Sequence, residues 1–298
     1  MEKIILFYLF TPLKDLNAVL LWQKKLGESN QLTGRIIISK HGINGTLGGP
    51  VDKLKTYIKE NKLYLPFKDI KYKWSDGGNN DFPKLSVKIR SEIVTFGLTD
   101  SDLKVTKKGL KDGGKHLSPK EVHKLVESRP KDVVFFDGRN QYEAWTGRFK
   151  NAVIPKVNYT REFSSELQKD EYKDLKNKAV ITYCTGGIRC EVLTVMMKKN
   201  GFKEVYQIDG GIDNYGKTYG DDGLWEGSLY TFDRRMGMKF SSKAKDIAVC
   251  SSCNNKTSNY ENCANKSCNK LIILCSKCAE NSIFCSSNCK QEVEVSLL

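Results

Sequence analysis

Apolar residues follow two alternating spacings over residues 1–96. Residues 3–10 (KIILFYLF) form an apolar run that predicts a β-strand, and residues 13–27 place apolar side chains at helical spacing before Gly27, a common helix end. Further patterns follow in the order strand, strand, helix, strand, strand. This βαββαβ order with one added strand predicts a ferredoxin-like α+β domain.

A second alternating pattern occupies residues 118–220. Ser118, Pro119 and Glu121 have the positions of a helix N-cap box. The apolar runs DVVFFDG, AVITYC and EVYQIDGG are separated by helical patterns, which predicts a parallel α/β sheet. The remaining segments are a lysine- and glycine-rich linker at 97–117, a connector at 221–249 and a cysteine-rich tail at 250–298.

The first residues predict a strand and not a targeting segment. Ile4 to Phe10 is the longest apolar run there, Glu2 and Asp15 flank it, and no small-residue cleavage site follows. No apolar run in the chain approaches the roughly 18 residues that would predict a membrane-spanning helix. We therefore expect a cytoplasmic protein with no membrane partner, whose ten cysteines are thiols or metal ligands and not disulfides.

The formal charge of +14 is concentrated in residues 1–220, because residues 221–298 carry nearly balanced charges. Such a surface attracts a polyanion such as RNA. The alternative is that the lysines are simply solvated and keep the protein soluble. Charge alone does not separate these two interpretations.

The segment YCTGGIRCE, residues 183–191, predicts a reactive cysteine. Cys184 ends a predicted parallel strand, and open α/β sheets bind ligands at that edge. The glycines allow a turn whose N–H groups converge on an anion, and a helix predicted to start near Cys190 or Glu191 adds its positive end. With Arg189, these features favour a thiolate at Cys184. The predicted active-site loop comprises Thr185, Gly186, Gly187, Ile188 and Cys190.

Two points about this loop stay open in the sequence. Cys190 is either a resolving thiol for Cys184 or a small apolar residue at the start of a helix. The three histidines, His41, His116 and His123, all lie outside this segment. A Cys–His pair of the protease type therefore requires one of them to fold back, and activation by backbone amides and Arg189 fits better.

The remaining eight cysteines predict two metal sites. They form four pairs whose spacings suit chelation: Cys250 and Cys253, Cys263 and Cys268, Cys275 and Cys278, Cys285 and Cys289. Eight thiolates make two tetrahedral Cys₄ sites, which predicts two structural zinc ions that supply the folding energy of a short polar tail. The pairs combine either alternately or sequentially, and an iron–sulfur cluster or disulfides are the less favoured alternatives.

The segments FFDGRNQYEAWTGRFKNAVIP, YCTGGIRCE and GFKEVYQIDGGIDNYG together resemble a rhodanese domain. The resemblance implies a persulfide carried on Cys184. It also implies supporting roles for Asp137 and Arg139, which match a D-x-R segment, and for Glu143, which matches an E-x-x-x-G segment. Arg148 stands where many rhodaneses have histidine.

Nearly the whole chain resembles the rhodanese-like tRNA uridine hydroxylases. GRIIISKHGINGTLGG, FPKLSVKIRSEIV, CTGGIRCE, LWEGSLYTFD and YENCANKSCNKLIILCSKCA occur in the order typical of that family. The resemblance implies an acylphosphatase-like first domain, a rhodanese domain and a cysteine-rich tail. It also implies 5-hydroxylation of uridine 34 in the tRNA anticodon loop, with molecular oxygen as co-substrate.

A first domain that binds tRNA would use the basic and polar residues around its glycine turn and on its last strand. The predicted RNA-binding residues are Arg35, Lys40, His41, Asn44, Lys84, Lys88 and Arg90. The alternative is a merely solvated sheet face.

Three functions follow from these patterns. The first is tRNA uridine hydroxylation, in which Cys184 either adds to C6 of uracil or carries oxygen as an oxidised sulfur species. The second is sulfur transfer from a Cys184 persulfide, which needs neither the basic domain nor oxygen. The third is a non-catalytic RNA-binding adaptor, which would bind RNA equally well after Cys184→Ser.

Overall fold

The computed structural model describes residues 1–99 and 101–296. Asp100 of the predicted linker and Leu297 and Leu298 of the predicted tail lie outside the described residues. The strands are β1 (Glu2–Phe10), β2 (Thr33–Ser39), β3 (Gly42–Pro50), β4 (Lys71–Ser75), β5 (Leu85–Ile89), β6 (Val105–Thr106), β7 (Gly109–Leu110), β8 (Lys115–Leu117), β9 (Val133–Asp137), β10 (Gly147–Phe149), β11 (Ala179–Tyr183), β12 (Glu204–Ile208), β13 (Trp225–Gly227), β14 (Tyr260–Asn262) and β15 (Leu271–Ile273). The helices are α1 (Leu16–Ser29), α2 (Val51–Leu63), α3 (Pro119–Ser128), α4 (Phe163–Glu166), α5 (Ile188–Lys199), α6 (Gly211–Tyr219), α7 (Ser276–Asn281) and α8 (Ser287–Ser296).

The first domain is a five-stranded sheet with α1 and α2 on one face. Its strand order is β4-β1-β3-β2-β5, and only the β2–β5 pair is parallel. This is the predicted ferredoxin-like order, with β5 as the added edge strand.

Side-chain alternation along β1 sends its residues into two different cores. Ile5 and Phe7 pack with the residues of α1 and α2. Tyr8 and Phe10 point to the opposite face, where they pack with buried residues of the second domain. The face of the first sheet that α1 and α2 leave open therefore packs on the second domain and forms the domain interface.

The second domain is built on the parallel sheet β8-β12-β11-β9, as the alternating pattern predicts. β11 lies in the middle, and each of its residues is buried. The carboxyl ends of these strands face the first domain, where Phe10 joins the same core as Phe136 and Val180.

Two segments differ from their predictions. Residues 97–117, predicted as a linker, contain the hairpin β6–β7 and the sheet strand β8. An edge strand of three residues with only Leu117 buried carries too little apolar pattern to stand out in the sequence. The predicted connector at 221–249 contains β13, which pairs with β10 and buries Trp225.

The cysteine-rich tail is a small unit of its own. It holds the hairpin β14–β15, followed by α7 and α8. Tyr260 and Ile273 pack with Tyr230 and Ala248 of the preceding segment. None of the helices in the described part of the chain is long and apolar enough to cross a lipid bilayer.

Candidate active site

Cys184 directly follows β11, at the carboxyl end of the parallel sheet, and is buried. The chain then turns sharply, and Gly187 adopts a φ of 98°, which favours glycine. The Gly187 N–H donates a hydrogen bond to Cys184 Sγ at 3.1 Å. Because α5 begins at Ile188, two residues earlier than the sequence predicts, the amides of its first turn also reach the sulfur.

These donors produce a stabilised thiolate. Burial raises the pKa of Cys184, but hydrogen bonding from the Cys190 thiol, the charge of Arg189 and the backbone N–H groups of Cys190 and Arg189 together lower it well below its usual value. Activation by backbone amides and Arg189 is the arrangement that the loop sequence favours.

Cys190 lies on α5, fully buried beside Cys184. Burial and the neighbouring Cys184 sulfur raise the pKa of Cys190. The pKa values of the two thiols are therefore shifted in opposite directions, which favours the negative charge on Cys184.

Arg189 is held by Glu143 and not directed freely at the sulfur. Its guanidinium makes two hydrogen bonds to the Glu143 carboxylate, at 2.5 and 2.8 Å, and a longer one to Thr185 Oγ1 at 3.3 Å. Both partners are buried. Because Glu143 neutralises much of the charge of Arg189, Arg189 stabilises the thiolate less strongly than an unpaired arginine would.

Asp137 and Arg139 form a second buried ion pair that shapes the segment carrying Glu143. Arg139 donates to both carboxylate oxygens of Asp137, at 2.9 and 2.6 Å. It also donates to the carbonyls of Glu143 and Gly147, at 3.1 and 2.7 Å. These contacts join Asp137 and Arg139 to the backbone of the segment that carries Glu143.

The first residues of α6 pack against the loop that begins at Cys184. Gly211 has a φ of 69°, and a Cβ there would lie 2.4 Å from the Cys184 carbonyl oxygen. The N–H groups of Ile212 and Asp213 bond the carbonyls of Cys184 and Thr185, at 2.9 and 3.0 Å. A side chain at position 211 would push these two elements apart.

A cavity of about 360 Å³ lies over this loop, between the two domains. The second domain contributes Cys184 and its neighbours in the loop, and the first domain contributes the open face of its sheet. The segment after β13 closes one side with Phe232 and Arg235. The cavity therefore combines one activated sulfur with cationic, aromatic and amide groups from three parts of the chain.

Two residues of the first domain contact the loop segment directly, and the sequence patterns do not single them out. Lys73 Nζ on β4 bonds the Gly186 carbonyl and lies 5.2 Å from the ring centre of Tyr8. Tyr8 donates a hydrogen bond to Glu191 at 3.0 Å. Burial lowers the pKa of Lys73, and the charge of Cys184 opposes this shift.

The predicted RNA-binding residues separate into three groups. Arg35 and Asn44 line the cavity, and Arg35 donates to the Phe232 carbonyl at 2.9 Å. The exposed side chains outside the cavity lining are Lys40, Lys84, Lys88 and Arg90. His41 is buried, and burial followed by Lys40 lowers its pKa, so it does not present a cation to RNA.

The tail cysteines converge in two groups of four that could hold metal ions. Each group combines alternate pairs: Cys250, Cys253, Cys275 and Cys278 in one, and Cys263, Cys268, Cys285 and Cys289 in the other. The Sγ–Sγ distances are 3.7 Å for Cys253–Cys275 and 3.6 Å for Cys268–Cys285. Sulfurs bound at 2.3 Å to one tetrahedral zinc lie about 3.8 Å apart, so these groups have the geometry of a metal site.

The tail also contacts the segment that carries Glu143. Tyr260 Oη on β14 donates to the Tyr142 carbonyl at 2.6 Å and accepts from Thr146 Oγ1 at 3.2 Å. The cysteine-rich tail therefore contacts the segment that carries Glu143, the partner of Arg189.

Comparisons with known proteins agree with this architecture. Residues 2–93 match the family model described as the UPF0176 acylphosphatase like domain, residues 118–218 the rhodanese-like domain, and residues 226–290 the rhodanase C-terminal region. The tRNA uridine(34) hydroxylase of Rhodococcus jostii is 57% identical over 279 residues, covering 94% of this chain and 98% of that protein. That of Corynebacterium urealyticum is 54% identical over 288 residues, covering 97% of each. The predicted fold class, with acylphosphatase-like and rhodanese domains, is confirmed.

Proposed function

This chain belongs to the tRNA uridine(34) hydroxylase family, and from that premise we propose its function. It hydroxylates C5 of uridine 34 in the tRNA anticodon loop, with Cys184 as the reactive thiol. The observation that carries this proposal is the position of Cys184 Sγ, which accepts the Gly187 N–H, in a cavity that the basic first domain completes.

The cavity suits one base from a single-stranded loop. Its volume of about 360 Å³ lies within the range of small-molecule sites. A base in an anticodon loop enters such a pocket without the cost of opening a duplex. A tRNA substrate also implies a cytoplasmic location.

The chemistry follows from the electrophilic C6 of uracil. The Cys184 thiolate adds to C6, and the C5–C6 π electrons move onto the C5–C4–O4 enolate. The electron-rich C5 then forms a bond to molecular oxygen. One oxygen atom stays on C5, and a two-electron reductant converts the other to water. Loss of the C5 proton and of Cys184 restores the ring and the thiolate. A rival route carries the oxygen on an oxidised Cys184 sulfur.

Basic side chains around the cavity would hold the RNA backbone. Arg35 lines the cavity mouth, and Lys84, Lys88 and Arg90 extend the same sheet edge outward. These residues contribute affinity that falls with salt concentration, while the cavity selects the base.

The two cysteine groups would each hold one zinc ion as a structural site. All four positions of each site are filled by thiolates, which leaves none open for catalysis. The bound metal would supply folding energy to the tail and so keep Tyr260 on the Glu143 segment.

Sulfur transfer is the second candidate, because the Cys184 loop has the form of a rhodanese loop. A persulfide on Cys184 would be passed to a thiol or to cyanide. This activity requires Cys184 but none of the residues that the first domain places in the cavity.

The test is mass spectrometry of tRNA nucleosides from cells that lack the gene and cannot make 5-hydroxyuridine otherwise. The wild-type gene restores 5-hydroxyuridine derivatives and Cys184→Ser does not. Restoration by Cys184→Ser would remove the thiol from the mechanism. No restoration by the wild-type gene would favour sulfur transfer.

A further inference from the structure

Three aromatic rings in the segments that contribute Asn140, Thr160 and Thr231 to the cavity are exposed to solvent, although aromatic residues usually bury their rings. Trp145 is 38% exposed, Phe232 44% and Tyr159 60%. Each lies in a short turn or irregular segment of the second domain or of the segment that follows it. Exposed apolar side chains gathered around a cavity mark a binding surface.

Ring contacts connect two of these residues in a continuous line. Trp145 contacts Tyr142 at a centroid distance of 6.5 Å, Tyr142 contacts Tyr230 at 5.5 Å, and Tyr230 contacts Phe232 at 5.2 Å. All three contacts are edge-to-face. We call these four residues the aromatic ridge. Its two buried or half-buried members hold the two exposed rings in fixed orientations.

The ridge ends at the cavity that contains Cys184. Phe232 lines this cavity, and the Arg189 guanidinium lies 5.6 Å from the centre of its ring. The backbone carbonyl of Phe232 accepts the hydrogen bond from Arg35, which fixes the segment against the first domain. A flat ligand that enters the cavity therefore passes the exposed part of the Phe232 ring.

Tyr159 directly precedes Thr160, which lines the cavity together with Asn140. Thr160 Oγ1 donates to Asn140 Oδ1 at 3.4 Å, and Asn140 Nδ2 donates to Tyr142 Oη at 3.1 Å. Both Asn140 and Thr160 line the cavity. The guanidinium of Arg161 lies 5.0 Å from the centre of the Tyr159 ring.

Exposed arginines accompany these rings, which decides the kind of partner. Arg148 and Arg161 are both exposed. Proteins bind single-stranded nucleic acid with aromatic rings that stack on bases and with cations that follow the backbone. A purely apolar patch would suit a protein partner instead, but these rings are paired with positive charge on a strongly basic chain.

We propose that the aromatic ridge and Tyr159 form a stacking surface for the bases that flank the target uridine in a single-stranded RNA loop. This inference rests on the proposed function, because it assigns to the ridge the neighbours of the base that enters the cavity. Phe232 stacks next to the entering base, and Trp145 and Tyr159 hold bases farther along the loop.

The test measures affinity for an anticodon stem-loop RNA by fluorescence anisotropy. Phe232→Leu, Trp145→Leu and Tyr159→Leu keep apolar side chains but remove the ring faces, and each weakens binding roughly tenfold. Phe232→Tyr restores a ring and binds nearly as tightly as the wild-type protein. A fully paired RNA duplex of equal charge binds all variants equally weakly.

Leu63→Ala is the matched control. Leu63 is exposed on α2, on the face of the first sheet opposite the cavity, and its substitution leaves affinity unchanged. Nucleoside analysis of tRNA treated with the same proteins distinguishes a failure of the stacking surface from a failure of the proposed function. If wild type hydroxylates tRNA while all three leucine variants keep full affinity, only the stacking surface is overturned. If wild type neither binds the stem-loop nor hydroxylates tRNA, the proposed function fails as well.

Discussion

At the scale of single residues, the environment of Cys184 is the feature that the sequence predicts best. The strand end, the glycines and Arg189 are all local, so a nine-residue segment contains most of the information. What the segment does not contain is the pairing of Arg189 with Glu143, because that contact joins residues 46 positions apart.

The first prediction concerns the acidity of Cys184. Its pKa is lowered, so alkylation of Cys184 reaches its maximal rate at a pH well below that of an ordinary thiol. Cys190→Ala removes a hydrogen-bond donor, which raises the pKa of Cys184 and shifts the rate profile to higher pH. The measurement is iodoacetamide labelling of the Cys184 peptide against pH. An identical profile in both proteins would show that Cys190 does not stabilise the thiolate.

The second prediction concerns Lys73, which contacts the active-site loop from the first domain. Lys73→Met removes the cation beside the thiolate and the bond to the Gly186 carbonyl. We expect kcat for tRNA hydroxylation to fall roughly 10- to 100-fold while affinity for tRNA changes little. Lys73→Arg keeps the charge and recovers part of kcat. A change confined to tRNA affinity would instead make Lys73 a backbone contact.

Lys73 and Tyr8 were not predictable from local patterns. Lys73 occupies an ordinary position of β4 and Tyr8 lies within the apolar run of β1. Nothing in the strand sequences indicates that this sheet face covers a loop more than a hundred residues away. The segment LYTFDRR, predicted only as a connector, contains the aromatic residues and arginines that are typical of single-stranded nucleic-acid binding.

At the scale of elements, the site depends on how the Glu143 segment is fixed between β9 and β10. The apolar runs predict β9, β11 and β12, because buried parallel strands consist almost wholly of apolar residues. β8 is not predicted, because an edge strand of three residues contains no apolar run.

The third prediction tests this segment through stability. Glu143→Gln leaves Arg189 buried without its carboxylate, and we expect a loss of about 3–5 kcal/mol in the free energy of unfolding. Urea denaturation measures this loss. Asp170→Asn, which breaks the exposed pair with Lys173, is the control and leaves the midpoint unchanged. Equal small effects of both substitutions would contradict a structural role for the buried pair.

At the scale of the whole molecule, the two domains enclose the cavity, and the cysteine-rich tail packs on the segment that carries Glu143. The order of the units follows from the sequence, because each has its own hydrophobic or cysteine pattern. The contacts between the units do not follow from it. The apolar run of β1 indicates that both faces of the first sheet are buried, but not that the second face packs on the Cys184 loop.

The fourth prediction concerns the metal. The purified protein contains two zinc ions per chain, and their removal by a chelator unfolds the tail. Because Tyr260 bonds the Tyr142 carbonyl, hydrogen exchange rises in the tail and also in residues 140–147. Metal analysis and hydrogen-exchange mass spectrometry check both effects. Exchange that rises in the tail alone would show that the two units are not coupled.

The most direct test of the account uses tRNA from the deletion strain, which lacks the modification at position 34. This tRNA is incubated under ¹⁸O₂ with deletion-strain extract, which supplies the reductant, and with purified wild-type or Cys184→Ser protein. Mass spectrometry of the anticodon fragment is expected to show one ¹⁸O atom on nucleotide 34 with the wild-type protein and none with Cys184→Ser. Labelling with both proteins, or an unlabelled hydroxyl, would contradict an oxygen-dependent reaction at Cys184.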